Sequence, residues 1–286
     1  MRRPALILQE LSQINTIADL TTVFEGIASL EIAKIRDQTL TSKNYFSELW
    51  HIYSQLRFGK AVITSDAQKA DRDKMRKLFV VITSQGGLSG DIDSRVVESM
   101  SKDYRPADTD VIVVGGHGNT LLGQKDIEPL HYYRMPDSNQ GFGVTVVEPI
   151  IAQVSKYGHT TAYYQTYVSL SRQDVAKMEL IAAVKALSDE TDAENTEIIT
   201  ERDYDFEPSL TEIAERLEST MLGIVLSQVI LESKLSQAAS RFNAMAAAKQ
   251  RAQEMQGDLR MTYNRTKRAV SSERTREIMG ALRGRK

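Results

Sequence analysis

The stretch that decides the fold is 209–245, SLTEIAERLESTMLGIVLSQVILESKLSQAASRFNAM. Pro208 closes what precedes it, and no proline follows anywhere. Ser209 suits a helix N-cap, and Glu212 three residues on completes a capping box, each side chain satisfying a backbone N–H that the first helical turn leaves free. Apolar residues then recur at steps of three and four: Leu210, Ile213, Leu217, Met221, Ile224, Leu231, Leu235, Ala238, Phe242 and Met245. That spacing averages the 3.5 residues of a coiled-coil seam rather than the 3.6 of a surface helix. The pattern predicts one helix from Ser209 to about Arg285. At about 1.5 Å per residue it would run for more than roughly 100 Å, longer than a protein of this size can cover. Such a helix is expected to project and to need a partner.

The other end of the chain offers one. Pro4 stands where a proline opens a helix, and Ile7, Leu11, Ile14, Ala18, Phe24, Ala28, Ile32 and Ile35 repeat the same seam. Gly26 weakens this helix, but nothing breaks it before Phe58-Gly59. Two long seam-bearing helices at opposite ends of a chain are expected to wind on each other, antiparallel. The predicted division is therefore a terminal helix over 1–58, an α/β insert over 74–206 and a second terminal helix over 209–286.

The insert alternates short apolar runs with turns. Leu78 to Thr83 and Val111 to Val114 read as buried strands, and Leu130 to Arg134 as a third. Ile92 to Met100 and Val144 to Tyr157 read as helices. Thr160 to Ser169 and Met178 to Leu187 alternate like a pair of antiparallel strands, Asp189 to Asn195 is an acidic loop, and Ile198 to Phe206 is a short last strand. Strands alternating with helices across short turns predict a parallel or mixed, Rossmann-like sheet.

Composition narrows the function classes. A chain of 286 residues without cysteine has no disulfide, thiolate metal site or cysteine nucleophile. No apolar run approaches the roughly 18 residues of a membrane span. The net charge of −2 conceals an uneven distribution. From Lys249 onward, eleven basic residues (Lys249, Arg251, Arg260, Arg265, Lys267, Arg268, Arg274, Arg276, Arg283, Arg285, Lys286) face four acids (Glu254, Asp258, Glu273, Glu277). A basic helix can neutralise phosphates, meet an acidic protein surface, or simply be solvated. Phe242 and Tyr263 are too few to form a stacking platform for bases, so a protein partner is the favoured reading and a nucleic-acid-binding coiled coil the alternative.

Candidate chemistry in the insert is thin. Gly86-Gly87-x-x-Gly90 and Gly116-His117-Gly118 follow strands but match neither Walker A nor Gly-x-Gly-x-x-Gly, since position 121 is Leu. Tight strand-to-helix turns explain them better than a phosphate cradle. His51, His117, His131 and His159 lack metal-ligand spacing. Asp91 and Asp93 are a possible carboxylate pair, though acids at a helix start complement its dipole and need no other role. Ser84 and Ser89 have no base near them in sequence.

Several strings, in order, resemble one family. Asn15-Thr16 with Leu20-Thr21 and Val23-Phe24-Glu25-x-Ile27-Ala28 is similar to N-T-x-x-I-T-x-A-M-x-x-V-A. Val81-Ile82-Thr83-Ser84 through Gly87-Leu88-Ser89-Gly90 resembles V-I-T-S-D-R-G-L-C-G. Tyr204-Asp205-Phe206-Glu207-Pro208-Ser209 resembles Y-x-(Y/F)-E-P-S. Leu231-Glu232-Ser233-Lys234, Ser236-Gln237, Arg241, Ala244-Met245, Leu259-x-x-Thr262-Tyr263-Asn264 and Glu277-Ile278-x-Gly280 complete the series. Together they resemble the gamma subunit of F-type ATP synthases, the central stalk of a rotary motor. The chain departs from that pattern at Phe24 (usually Met), at Glu31 (usually Lys), and at Ser271-Ser272-Glu273-Arg274, where I-T-x-E is usual. The tip Leu282-Arg283-Gly284-Arg285-Lys286 is charged where the family's is small and apolar.

The resemblance implies a non-catalytic subunit without a cofactor or metal, its coiled coil held inside a hexamer of alpha and beta subunits and its insert bearing on the epsilon subunit and the c-ring. It implies a peripheral position on the cytoplasmic face of the plasma membrane, held there only through the proton-translocating complex, and no nucleic-acid partner. Phe24, Glu25, Arg241, Arg265, Lys267, Arg268, Arg274 and Glu277 are the expected hexamer contacts. The turn Gly86, Gly87, Leu88, Gly90 and Asp91 is the expected contact at the foot of the stalk.

Overall fold

A computed structural model of the chain describes residues 3–59, 76–135, 144–180 and 210–283. Both long helices form. Helix α1 is Pro4–Gly59 and the last helix, α5, is Leu210–Arg283. Between them lie β1 (Lys77–Ile82), α2 (Ile92–Asp103), β2 (Thr109–Val114), α3 (Gly116–Gly123), β3 (His131–Tyr133), α4 (Val144–Val154), β4 (Thr160–Tyr167) and β5 (Gln173–Glu179). The expected strand over 198–206 and the acidic loop over 189–195 lie outside the described residues.

Two compact units are drawn from this chain. One comprises Met1–Ala28 with Arg241–Lys286, the other Ser29–Ser240. The first is the antiparallel coiled coil. On α1, Ile7, Ala18, Thr21 and Ala28 are buried, with Leu11, Ile14 and Glu25 half-buried between them. The spacing is four, three, four, three throughout, as a seam of two wound helices requires. On α5 the complementary series is Met245, Lys249, Ala252, Gln256, Leu259, Tyr263, Thr266 and Ala269, all buried or half-buried. Apolar periodicity in the sequence fades after Met245, but the geometric seam does not. It continues through Ala, Gln and Thr, residues small or flexible enough to line a close helix pair without advertising it.

The second unit is a five-stranded sheet in the order β3-β2-β1-β4-β5. The first four strands in this order are parallel and β5 is antiparallel to β4. The strand order reverses direction between β1 and β4, so their carboxyl ends form the switch point of the sheet. Both faces are covered, which is why β1 and β2 read as continuous apolar runs. Phe79, Val81, Val111, Val113 and Tyr163 pack against Val96, Val97 and Met100 of α2 and Leu122 of α3. The opposite face, with Val80, Ile82, Ile112, Val114 and Tyr164, packs against Val147, Ile150 and Val154 of α4 and against Met221, Ile224, Val225, Val229 and Ile230 of α5. Each of those α5 side chains contributes about 1.5–3 kcal/mol by leaving water, so the helix is rooted in the sheet.

Two elements differ from expectation. The second strand of the antiparallel pair is Gln173–Glu179, so it begins five residues before the expected Met178; 181–187 of that expected strand lie outside the described residues. It lies at the edge of the sheet, and Gln173, Asp174, Lys177 and Glu179 interrupt its Val175, Ala176 and Met178, so it carries no continuous apolar run. A tight turn sets its register: Ser169 N donates to Arg172 O (2.9 Å) and Arg172 N to Ser169 O (3.2 Å), pairing Tyr167 with Gln173. Helix α3 occupies what read only as a glycine turn. Three of its eight residues are glycine, so propensity opposes it, and the burial of Leu122 with contacts to the end of β1 holds it.

Candidate functional site

The glycine turn after β2 is shaped by packing. Gly115 has φ +105°, and a Cβ there would lie 2.1 Å from Thr83 O; one at Gly118 would lie 2.3 Å from Thr83 Oγ1. Two of the amides that open α3 bond the end of β1: His117 N donates to Ser84 O (3.1 Å) and Gly118 N to Thr83 Oγ1 (2.9 Å). A phosphate cradle needs such amides free. This turn therefore closes α3 onto β1.

At the switch point the fold assembles a cluster that spacing could not reveal. Asp93, fully buried in the first turn of α2, accepts hydrogen bonds from four groups. Its Oδ1 takes Ser84 N (3.2 Å) and Gln165 Nε2 (2.6 Å), and its Oδ2 meets Ser84 Oγ and His117 Nδ1 (2.8 Å). Gln165, on β4, in turn accepts at Oε1 from Ser233 Oγ and from Gln237 Nε2 (3.3 Å) of α5. Serine, aspartate and histidine thus meet, but not as a nucleophile's relay. Both the serine and the histidine bond the same carboxyl oxygen, whereas a relay needs the imidazole between serine and acid. The network ties α2, α3, β4, α5 and the end of β1 together. Asp91, its expected companion, is exposed and makes no side-chain cap bond.

The turn before α2 projects into solvent. Gly86, Gly87, Leu88, Gly90 and Asp91 are all exposed. Leu88 stands at its tip at φ +73°, a strained conformation for a branched side chain. The turn is anchored from behind by Ser240 Oγ, which donates to Ser89 O (2.7 Å).

At the amino ends of the strands lies an open concavity of about 760 Å³, lined in part by Lys77, Asp103, Arg105, His159, Tyr163 and Glu179. Its acids are engaged. Asp103 accepts from Tyr163 Oη (2.8 Å) and Lys177 Nζ (3.3 Å), and Glu179 meets His159 Nδ1 (3.1 Å). The Tyr163 hydrogen bond, with help from Lys177, holds Asp103 below the usual carboxyl range. Burial first, then Asp103, pushes the Tyr163 phenol upward. Among the described residues no group of His, Cys, Asp and Glu could hold a metal ion, and no helix is long and apolar enough to cross a membrane.

The expected hexamer contacts fall into two groups. Phe24, Glu25 and Arg241 are half-buried, and Glu25 forms an ion pair with Lys249 (3.0 Å) across the coiled coil. Arg265, Lys267, Arg268, Arg274 and Glu277 are exposed; Lys267 Nζ lies 5.9 Å from the Tyr263 ring centroid. Residues 270–280 are exposed on every side. Sequence reasoning missed a feature on α1, where Leu6, Ile17, Leu20, Val23 and Ile27 form an exposed apolar row beside the seam, 44–58% accessible. Those residues fit the seam's period nearly as well as the buried ones, so only the paired structure separates the two rows. The coiled coil is therefore asymmetric, apolar along one flank of α1 and basic along the end of α5.

A sequence profile of the ATP synthase family matches residues 6–283. Similar curated proteins include the ATP synthase gamma chains of Cytophaga hutchinsonii (23% identical, over 96% of each chain) and of Mycoplasmoides gallisepticum (23%, over 95% of this chain and 96% of the relative). Among solved structures, a chain of the Euglena gracilis mitochondrial ATP synthase shares the fold with a TM-score of 0.67 at 16% identity, over 97% of this chain and 94% of that one. A chain of the Tetrahymena thermophila mitochondrial ATP synthase central stalk and c-ring matches with a TM-score of 0.52 at 19% identity, over 80% and 99%.

Proposed function

The chain belongs to the ATP synthase gamma-chain family, and from that premise we infer that it is the central-stalk rotor of a proton-translocating ATP synthase. It takes no part in bond making. Its coiled coil turns inside a hexamer of alpha and beta subunits whose beta chains carry the catalytic sites, and its insert rests on the epsilon subunit and the c-ring. Rotation of the ring turns the shaft, and an asymmetric shaft presents a different face to each beta subunit, changing nucleotide affinity in sequence. It reaches the cytoplasmic face of the plasma membrane only as part of that complex.

The observation that carries this reading is the coiled coil with two unlike flanks. An exposed apolar row on a soluble helix pair calls for cover. An enclosing ring of subunits supplies it, while the exposed Arg265, Lys267, Arg268, Arg274 and Glu277 contact the ring over a polar surface that can slide. Phe24 and Arg241 complete that contact, and Glu25 serves it by stiffening the pair through Lys249. The turn from Gly86 to Asp91 docks at the foot of the stalk. Nothing among the relatives supports the nucleic-acid alternative.

Reconstitution with alpha and beta subunits tests the proposal. ATP hydrolysis and rotation of a bead fixed to the insert are expected. Failure of the three chains to assemble at any salt concentration would sink it.

A further inference from the structure

Helix α5 meets the sheet unit in two chemically different segments. From Met221 to Ile230 the contact is apolar. From Glu232 to Ser240, the last residues that α5 contributes to this unit, buried Ser233, Ser236 and Gln237 make it largely polar, with only Ala238 and Ala239 as fully buried apolar side chains. Thr166 Oγ1 bonds Glu232, Ser233 Oγ bonds Gln165, and Ser236 Oγ donates to Thr166 O (3.2 Å). Gln237 Nε2 reaches both Gln165 Oε1 (3.3 Å) and Ser233 Oγ (2.9 Å), and Ser240 Oγ donates to Ser89 O (2.7 Å). Through Gln165 the chain of bonds runs on to Asp93, Ser84 and His117, and so into α2, β1 and α3.

The two segments resist rotation differently. Apolar burial is non-directional and constrains a helix mainly by the area it hides. Hydrogen bonds fail steeply with angle and distance. Turning a helix by about 30° carries an oxygen about 5 Å off its axis through roughly 2.5 Å, enough to break every bond in such a set at once. The polar segment is thus the part of the interface that reads helix rotation.

We propose that Ser233, Ser236, Gln237 and Ser240, clamped to Gln165, Thr166 and Ser89, are the torsional anchor through which torque passes between the shaft helix and the insert, with Gln165 as the positioning residue that ties the clamp to Asp93. This rests on the central-stalk reading. The clamp sits where α5 leaves the sheet unit, so it fixes the helix at the point from which the rest of α5 runs on to Arg283.

The test uses the complete ATP synthase reconstituted in vesicles, with this chain carrying Ser233→Ala and Gln237→Leu together. These changes remove the two clamp bonds to Gln165, keep those of Ser236 and Ser240, and leave the donors to Asp93 in place. Expected results are normal assembly, near-normal ATP hydrolysis, and backbone amides over 232–240 exchanging about 10- to 100-fold faster. Angular fluctuation of a bead on the c-ring should widen, and fewer protons should be pumped per ATP. Ser233→Thr, which keeps the hydroxyl, should restore normal fluctuation. Faster exchange with unchanged fluctuation and unchanged pumping would overturn the proposal and leave the clamp as packing. If the double variant does not assemble, Ser236→Ala, which removes only the bond to Thr166 O, decides between the same two outcomes. Failure of the unaltered chain to assemble would count against the central-stalk reading instead.

Discussion

Replacing Asp93 by alanine is expected to cost about 4 kcal/mol, and the figure follows from the fate of its four partners. Ser84 Oγ loses least, because Gly86 O already lies 2.5 Å away. The His117 side chain is 27% exposed and can turn to water. Ser84 N and Gln165 Nε2 have no such escape, since both residues are fully buried. Each stranded donor costs about 1–3 kcal/mol, giving a range of about 2–6 against the roughly 5–15 kcal/mol by which a domain is stable. Asp93→Asn keeps an oxygen at the Oδ1 position, where both stranded donors bond, and changes only the group facing Ser84 Oγ and His117. It should cost about 1–2 kcal/mol. Urea unfolding of the full chain, followed by circular dichroism, measures both; the midpoints should fall in the order wild type, Asn, Ala, with the slope unchanged. An alanine variant within about 1 kcal/mol of wild type, or an asparagine variant as unstable as alanine, would refute the view that these two buried donors decide the energy.

Other consequences can be measured on the same chain. Gly115→Ala places a Cβ 2.1 Å from Thr83 O at a φ of +105°, so it should destabilise by about 3 kcal/mol or more and lower the thermal midpoint or the soluble yield. Burial, then the charge of Glu232, pushes Tyr164 up to about 12 from an ordinary 10. The unfolded chain then releases that proton first, so the contribution is intact below pH 10 and fades as pH rises toward 12; Tyr164→Phe should flatten the alkaline limb of a stability–pH curve. Glu25→Ala breaks a partly exposed pair and should cost about 0.5–1 kcal/mol at low salt, with the difference shrinking in 1 M salt, as thermal melts would show.

Most of the architecture is legible in the residue order, because its strongest signals are local. A 3.5-residue apolar period, a proline at each helix entry and apolar β-branched runs between turns depend on neighbours a few residues apart. They define the terminal helices, β1 and β2, and the motifs that led to the gamma-chain family. Where local preference ran against the outcome, the signal failed. Helix α3 is glycine-rich and held by contacts, β5 mixes polar and apolar residues at the sheet edge, and the seam beyond Met245 passes through a mixed series in which Lys249, Gln256 and Thr266 stand among Ala252 and Leu259.

The remainder depends on contacts between positions far apart in the chain. Spacing left Ser84 without a base and Asp93 as a helix-start acid. The fold puts Ser84, Asp93, His117, Gln165, Ser233 and Gln237 into one hydrogen-bonded set, the most distant of them separated by over a hundred residues. It also divides α1 into a buried seam and an exposed apolar flank of nearly the same period. Periodicity states that a helix has a sticky side; which side is covered depends on where its partner lies, and that is settled only when the whole chain has folded.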